Sequence, residues 1–217
     1  MDKKRYVIQR TNGSPDWSAV QPIEIDFFFE HSSAYRPRTQ ARLMYDNDQL
    51  YVRFNVADRY VRAVAENYQD PVCKDSCVEF FVQPRAGESY FNFEVNAGGI
   101  MLLYCIPVAA DGSARMDQLQ PVPFDRVKEM HIRHSLPSRI EPEITEPCEW
   151  TVEYNIPFSF FEKYGLLSRP LAGQIWNGNF YKCADATSHP HWGMWSPILD
   201  GRRFHRPEYF SELVFEG

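Results

Sequence analysis

The sequence lacks the features that mark several classes of protein. The 217-residue chain has no basic run and a net charge of −6, which argues against a nucleic-acid or anionic-membrane surface. No apolar stretch approaches the roughly 18 residues of a spanning helix, so we expect no membrane insertion. The charged opening residues 1–10 precede no apolar region, which predicts that a signal peptide is absent and that the location is cytoplasmic.

Cysteines and catalytic motifs are also scarce. The five cysteines are an odd number without a CxxC pair, so we expect free, mostly buried thiols rather than a disulfide framework. The chain has no GxSxG, HExxH, Walker or GxGxxG motif. No linker or repeat divides the chain, and we predict a single domain over residues 1–217. Its distinguishing feature is its aromatic content of 12 Tyr, 16 Phe and 5 Trp.

Most of the hydrophobic periodicity is two residues, which is typical of strands. Leu50, Val52 and Phe54 alternate with polar residues, and the preceding turn at 46–48 predicts a hairpin with 43–45. Many short strands separated by turn signals predict an all-β, antiparallel β-sandwich of immunoglobulin-like or jelly-roll-like type. Further strand candidates are residues 76–82, 90–96, 100–106, 150–156, 175–183 and 209–215.

One or two short helices and two long loops complete the predicted fold. Pro157 at a first-turn position and Gly165 as a stop predict an amphipathic helix of about ten residues. Residues 107–129 and 135–149 show no periodicity and predict loops.

Polar residues share one face of two predicted strands. Asn92, Glu94 and Asn96 alternate with apolar residues, and pairing core to core places Glu79 opposite Asn92 or Glu94. Carboxylates and amides in such an array suit the vicinal hydroxyls of a sugar. An ordinary solvated outer face would show the same alternation. Alternatively, Glu79 and Glu94 could be the acid and base of a glycoside hydrolase, which needs two carboxyls about 5–10 Å apart.

A second candidate region is the aromatic segment near the C-terminal end. Planar aromatic side chains such as Trp192 and Trp195 can stack on the faces of flat ligands, or they can close the core. The candidate binding residues in this segment are Asn179, Tyr181, His191, Trp192 and Trp195. A metal site is a third possibility, with ligands from His189, His191, Cys183 and Asp185, although this spacing is not a zinc signature.

Several segments match one family pattern in order and spacing over most of the chain. They are Asp16-Trp17 and residues 39–58, 74–82, 90–99, 176–181, 195–197 and 204–210. Together they resemble the family 9 carbohydrate-binding modules and their DOMON-like relatives. The resemblance implies a β-sandwich that binds sugars, in the best-known members by holding the terminal unit of a glycan between two tryptophans.

The resemblance also implies roles for individual residues. Glu79 matches the family's sugar-binding glutamate, Asn92 or Asn96 a strand amide, and Trp192 or Trp195 one aromatic wall. The sequence departs from the pattern at Cys73, where the other sandwiching tryptophan would align. Tyr68 or a residue of the long loops would then have to supply the second wall. Family members can carry structural calcium, for which Asp58, Asp70 and Asp75 are available.

We therefore expect a stand-alone, non-catalytic carbohydrate-binding domain that acts in glycan recognition or carbohydrate catabolism. The expected partner is a mono- or oligosaccharide and not nucleic acid, and structural calcium is the one cofactor that the resemblance suggests. The alternative is a glycan-active hydrolase that uses Glu79 and Glu94. A third hypothesis, a structural or protein-binding sandwich, predicts that the region around Trp192 and Trp195 is buried.

Overall fold

The protein is mostly β-structure in a computed structural model, which describes residues 3–169 and 171–217. The strands are β1 (Arg5–Arg10), β2 (Ile23–Ile25), β3 (Phe27–Phe28), β4 (Arg38–Tyr45), β5 (Gln49–Asp58), β6 (Val61–Ala63), β7 (Cys77–Gln83), β8 (Tyr90–Asn96), β9 (Met101–Leu102), β10 (Tyr104–Ile106), β11 (Gln120–Pro121), β12 (Arg133–His134), β13 (Ile140–Ile144), β14 (Cys148–Pro157), β15 (Ile175–Cys183), β16 (Trp192–Met194) and β17 (Ser211–Phe215). One helix, α1 (Phe158–Glu162), and four 3-10 turns complete the described elements.

Two layers of strands form the predicted β-sandwich. The first sheet has the order β11-β10-β8-β7-β15-β17-β1, and the second has β1-β4-β5-β14-β12. β1 belongs to both, because residues 5–8 pair with β17 and residues 9–10 pair with β4. Both pairings of β1 are parallel, whereas the other strand pairs are antiparallel.

The two faces of the first sheet are both buried. A large apolar cluster between the sheets includes Phe80, Phe93 and Trp150. On the other face of the first sheet, a second cluster that includes Phe81 and Tyr181 is covered by loops. Every residue of β7 and β8 is buried as a result. The solvated outer face that the alternation also allowed does not form at these two strands.

Three local predictions from the sequence differ from the structure. α1 has five residues instead of about ten, because it passes into a turn that ends at Gly165 with a φ of 69°. Residues 100–106 form two short strands rather than one. Residues 135–149 are not all loop, since β13 pairs with β6, and an edge strand of this kind tolerates Pro142. No helix in residues 3–169 and 171–217 is long and apolar enough to cross a membrane.

Candidate functional site

A cavity of about 210 Å³ opens in the loop layer over the outer face of the first sheet. β7 and β8 provide two of its three carboxyl groups, and β15 and β16 provide one of its two thiols and its indole. The loop at 202–205 closes another side. The lining residues are Phe29, Cys73, Glu79, Glu94, Cys183, Asp185, Trp192, Arg202, Arg203, Phe204 and His205.

Glu79 and Glu94 face each other across the β7–β8 pair. Burial raises the pKa of Glu94 to about 8. Burial, followed by the nearby Glu94, raises the pKa of Glu79 well above its ordinary value. Glu94 therefore favours the protonated form at neutral pH, and burial shifts the pKa of Glu79 in the same direction. A protonated carboxyl group can donate as well as accept a hydrogen bond.

Neighbouring side chains fix the orientation of these two carboxyl groups. The Cys183 thiol donates to Glu79 Oε1 at 2.9 Å, and Asn92 Nδ2 donates to Glu94 Oε1 at 2.7 Å. Asn92 is itself held, because its Oδ1 accepts from the backbone N–H of Tyr104 at 2.7 Å. Among the described residues, Glu79 Oε2 is buried and finds no hydrogen-bond partner. A residue that lines the cavity thus has a carboxyl oxygen that no other described residue satisfies.

Aromatic side chains form the walls of the cavity. Trp192 is half-buried, and its Nε1 donates to Asp185 Oδ1 at 2.7 Å, which fixes the plane of the indole. The His31 ring lies 4.8 Å from Trp192. Phe29 and Phe204 stack at 5.6 Å on the neighbouring wall. Trp192 is the tryptophan that the structure brings to this site.

Three of the predicted site residues lie elsewhere. Trp195 belongs to the core between the sheets, 5.8 Å from the ring of Phe180, because it follows the outward Trp192 and Met194 at an inward position. Asn96 Nδ2 donates to Asp75 at 2.9 Å. Asn179 Nδ2 donates to the backbone oxygen of Ser196 at 2.9 Å. The two amides support loops next to the sheet.

Two further predicted residues lie close to the site but do not line the cavity. The Tyr181 hydroxyl donates to the backbone oxygen of Phe204 at 3.1 Å, and so helps to hold the cavity wall. His191 is fully buried, where its Nε2 lies 3.0 Å from Lys182 Nζ. Lys182 Nζ also lies 3.6 Å from Asp58 Oδ2. Burial, together with the charge of Lys182, lowers the pKa of His191 to about 2.

Cys73 stands where the family pattern has its second tryptophan. It lines the cavity, but with a thiol instead of an indole. Tyr68 does not replace it, because its hydroxyl donates to the Val122 backbone oxygen at 2.8 Å and its ring packs on Phe124. The sequence reasoning missed Phe29 and Phe204 as wall residues. For Phe204 a signal was available in the sequence, because it begins one of the segments that carry the family resemblance. Phe29 had no local signal.

The aspartates considered for calcium do not fit a shared site. Asp75 accepts from Arg62 and Asn96, and Asp58 accepts from the Tyr35 hydroxyl and other donors. Asp70 accepts from backbone N–H groups of the 66–67 turn. Each aspartate is thus bound by its own separate set of protein donors. The histidine-based metal site does not form either, because His191 binds Lys182 and a backbone oxygen.

A larger cavity of about 600 Å³ lies on the outer face of the second sheet. Three arginines and Trp17 are among its lining residues. Arg53 pairs with Glu153, and Arg42 donates to Asn55, so protein groups satisfy much of this surface. The smaller cavity is the better candidate site because its lining residue Glu79 has the unsatisfied carboxyl oxygen.

Comparison with known proteins identifies the family. Residues 16–215 match the sequence profile of carbohydrate-binding family 9. A proposed carbohydrate-binding protein from Bacteroides uniformis is 28% identical, with a TM-score of 0.85 over 99% of this chain and 100% of that chain. A family 9 module from Caldicellulosiruptor kristjanssonii in complex with glucose is 15% identical, with a TM-score of 0.66 over 99% of this chain and 96% of that chain.

A module from the same organism in complex with cellotriose is 15% identical, with a TM-score of 0.67 over 99% of this chain and 94% of that chain. The curated protein sequences gave no significant match. The profile match spans most of the chain, and the fold agrees with it from end to end. The chain therefore belongs to carbohydrate-binding family 9.

Proposed function

We propose that the cavity over the first sheet binds one sugar unit, either free or at the end of a glycan, without changing it chemically. Membership of a carbohydrate-binding family supports the general function. Two structures with this fold contain glucose and cellotriose, which are the sugar class that we propose for this chain.

The observation that carries the proposal is Glu79, which lines the cavity and whose buried Oε2 finds no partner among the described residues. A buried polar atom without a partner costs about 1–3 kcal/mol, and a sugar hydroxyl, which can donate or accept, would recover that free energy. Glu94 lies opposite, held by Asn92, and presents a second carboxyl group. Two adjacent hydroxyls of a pyranose are a matching set of donors and acceptors.

The walls and the size of the cavity favour a single sugar unit. Trp192 offers an indole face whose orientation is fixed by Asp185, as stacking on a pyranose ring requires. The volume of about 210 Å³ is below the roughly 300–1,000 Å³ of pockets for drug-sized ligands. Arg202 and Arg203 at the rim provide further hydrogen-bond donors.

Calorimetric titration with monosaccharides and short oligosaccharides, including glucose and cellotriose, tests the proposal. We expect Trp192→Ala and Glu79→Gln to weaken binding at least tenfold, which is about 1.4 kcal/mol. Phe124→Ala is the matched aromatic control, because Phe124 is exposed and does not line the cavity. An absence of heat with every sugar, or equal affinity in the Trp192→Ala variant, would refute the proposal.

The hydrolase alternative has one observation in its favour, the opposed pair Glu79 and Glu94 at a cavity floor. Against it, both carboxyl groups have raised pKa values, whereas a hydrolase needs one protonated and one ionised group. Turnover of an aryl-glycoside panel that disappears in Glu79→Gln would establish the hydrolase instead.

A further inference from the structure

Three metal-ligating side chains meet beneath the proposed sugar cavity. Cys77 on β7 is directly opposite Cys183 on β15, and Glu79 follows Cys77 by two residues on the same face. The two sulfurs and a carboxyl oxygen of Glu79 all lie within 4.8 Å of one another. Within residues 3–169 and 171–217, this is the one group of three or more such side chains close enough to hold an ion.

The cluster contains an incompletely satisfied carboxyl group. Glu79 is only 3% exposed; its Oε1 accepts from the Cys183 thiol, while its Oε2 has no partner among the described residues. Natural proteins rarely leave such an atom unpaired, and each case calls for a physical explanation. A bound cation would take the place of the carboxyl proton and would provide the partner that the carboxylate of Glu79 lacks.

The donor set selects a class of metal. Two thiolates and one carboxylate suit a thiophilic ion such as Zn²⁺, whereas Ca²⁺ and Mg²⁺ prefer oxygen ligands only. Tetrahedral zinc with Zn–S bonds of about 2.3 Å places two sulfurs about 3.8 Å apart. In the structure the two sulfurs lie no more than 4.8 Å apart, which is close to this spacing.

We infer that Cys77, Cys183 and Glu79 form a binding site for a thiophilic divalent cation, with Zn²⁺ as the best match. Glu79 and Cys183 line the cavity, which gives the ion a route from solvent. A tetrahedral ion with three protein ligands would have one further position for water or a ligand hydroxyl. The site goes beyond sugar binding, although it shares Glu79 with the proposed sugar site.

Cobalt titration of the reduced, metal-free protein tests this site. Co²⁺ bound to thiolates gives a ligand-to-metal charge-transfer absorption, and we expect this band to saturate at one equivalent and to disappear when Zn²⁺ is added. Cys77→Ser and Cys183→Ser should each abolish the band, and Glu79→Gln should weaken cobalt binding at least tenfold. Cys148→Ser is the matched control, because Cys148 lies on β14, outside the cluster.

The wild-type titration decides the matter even where a variant fails to fold. Absence of the band in folded wild-type protein would overturn the inference, as would a band that persists in folded Cys77→Ser and Cys183→Ser or that disappears in Cys148→Ser. Conversion of the two thiols into a disulfide under air, with no cobalt band before oxidation, would also overturn it. The cobalt readout needs no sugar, so its failure is distinguishable from failure of sugar binding.

Discussion

Burial of His191 predicts that the protein loses stability as the solution becomes acidic. Its Nε2 accepts from Lys182 Nζ at 3.0 Å, and its Nδ1–H donates to the backbone oxygen of His189 at 2.8 Å. Protonation of Nε2 would place a second buried positive charge beside the lysine. Burial and Lys182 accordingly lower the pKa of His191 from its ordinary value of 6.5 to about 2.

The sign and the size of the effect follow from proton linkage. Because the pKa of His191 is lower in the folded state, the unfolded state binds more protons below pH 6.5. The contribution to stability is therefore complete above pH 6.5 and is lost as the pH falls toward 2. Between pH 7 and pH 5 the loss is about 2 kcal/mol. At pH 5 the ring in the folded protein is still neutral, so the loss comes from protonation of the unfolded state.

Urea unfolding at pH 7 and at pH 5 measures this loss. We expect His191→Gln, which keeps an acceptor for Lys182 but cannot titrate, to lose about 2 kcal/mol less than the wild type between the two pH values. His131→Gln at an exposed histidine is the control and should follow the wild type. Equal losses in wild type and His191→Gln, or an NMR titration in which the ring of His191 protonates near pH 6, would refute the reasoning.

Three further substitutions test the packing around the site, each by urea or thermal unfolding. Lys182→Met removes the buried cation beside Asp58 and should cost about 3 kcal/mol; a variant as stable as the wild type would show that the pair is not needed. Trp195→Ala should cost roughly 3–5 kcal/mol as a core deletion, and a smaller loss than in Trp192→Ala would contradict the observed burial. Gly178→Ala should cost roughly 1–3 kcal/mol, because its Cβ would lie 2.7 Å from a backbone oxygen of β7; unchanged stability would mean that the strands can separate there.

Much of the sandwich could be predicted from local patterns. The alternation along β14 directs Trp150, Val152 and Tyr154 into the core, as expected from a period of two. The turn before β5 forms because Asp46 Oδ1 accepts the backbone N–H groups of residues 48 and 49, at 2.8 and 2.9 Å. The register that pairs Glu79 with Glu94 is one of the two that core matching allowed.

The candidate site was harder to predict, because non-local packing determines it. Trp192 and Trp195 are three positions apart, so they face opposite sides of the strand path, but the sequence does not say which side is the core. The loop layer that buries Glu79 brings in Phe29 and Phe204 from distant segments. Buried carboxyl groups also contradict the usual distribution of charged residues, which made an exposed face the natural expectation.

The double membership of β1 has a consequence for the order of assembly. The backbone N–H of Lys4, just before β1, donates to the side chain of Ser211, which is 207 residues away. Residues 5–8 have no pairing partner in the first sheet until β17 is in place. Long sequence separations of this kind slow folding, whereas the β4–β5 hairpin can form early. The loop at 202–205, which closes the cavity, precedes β17 along the chain with only the 3-10 turn Pro207–Tyr209 between them. Closure of the sandwich and completion of the cavity should therefore occur together, so that ligand binding reports the final step of folding.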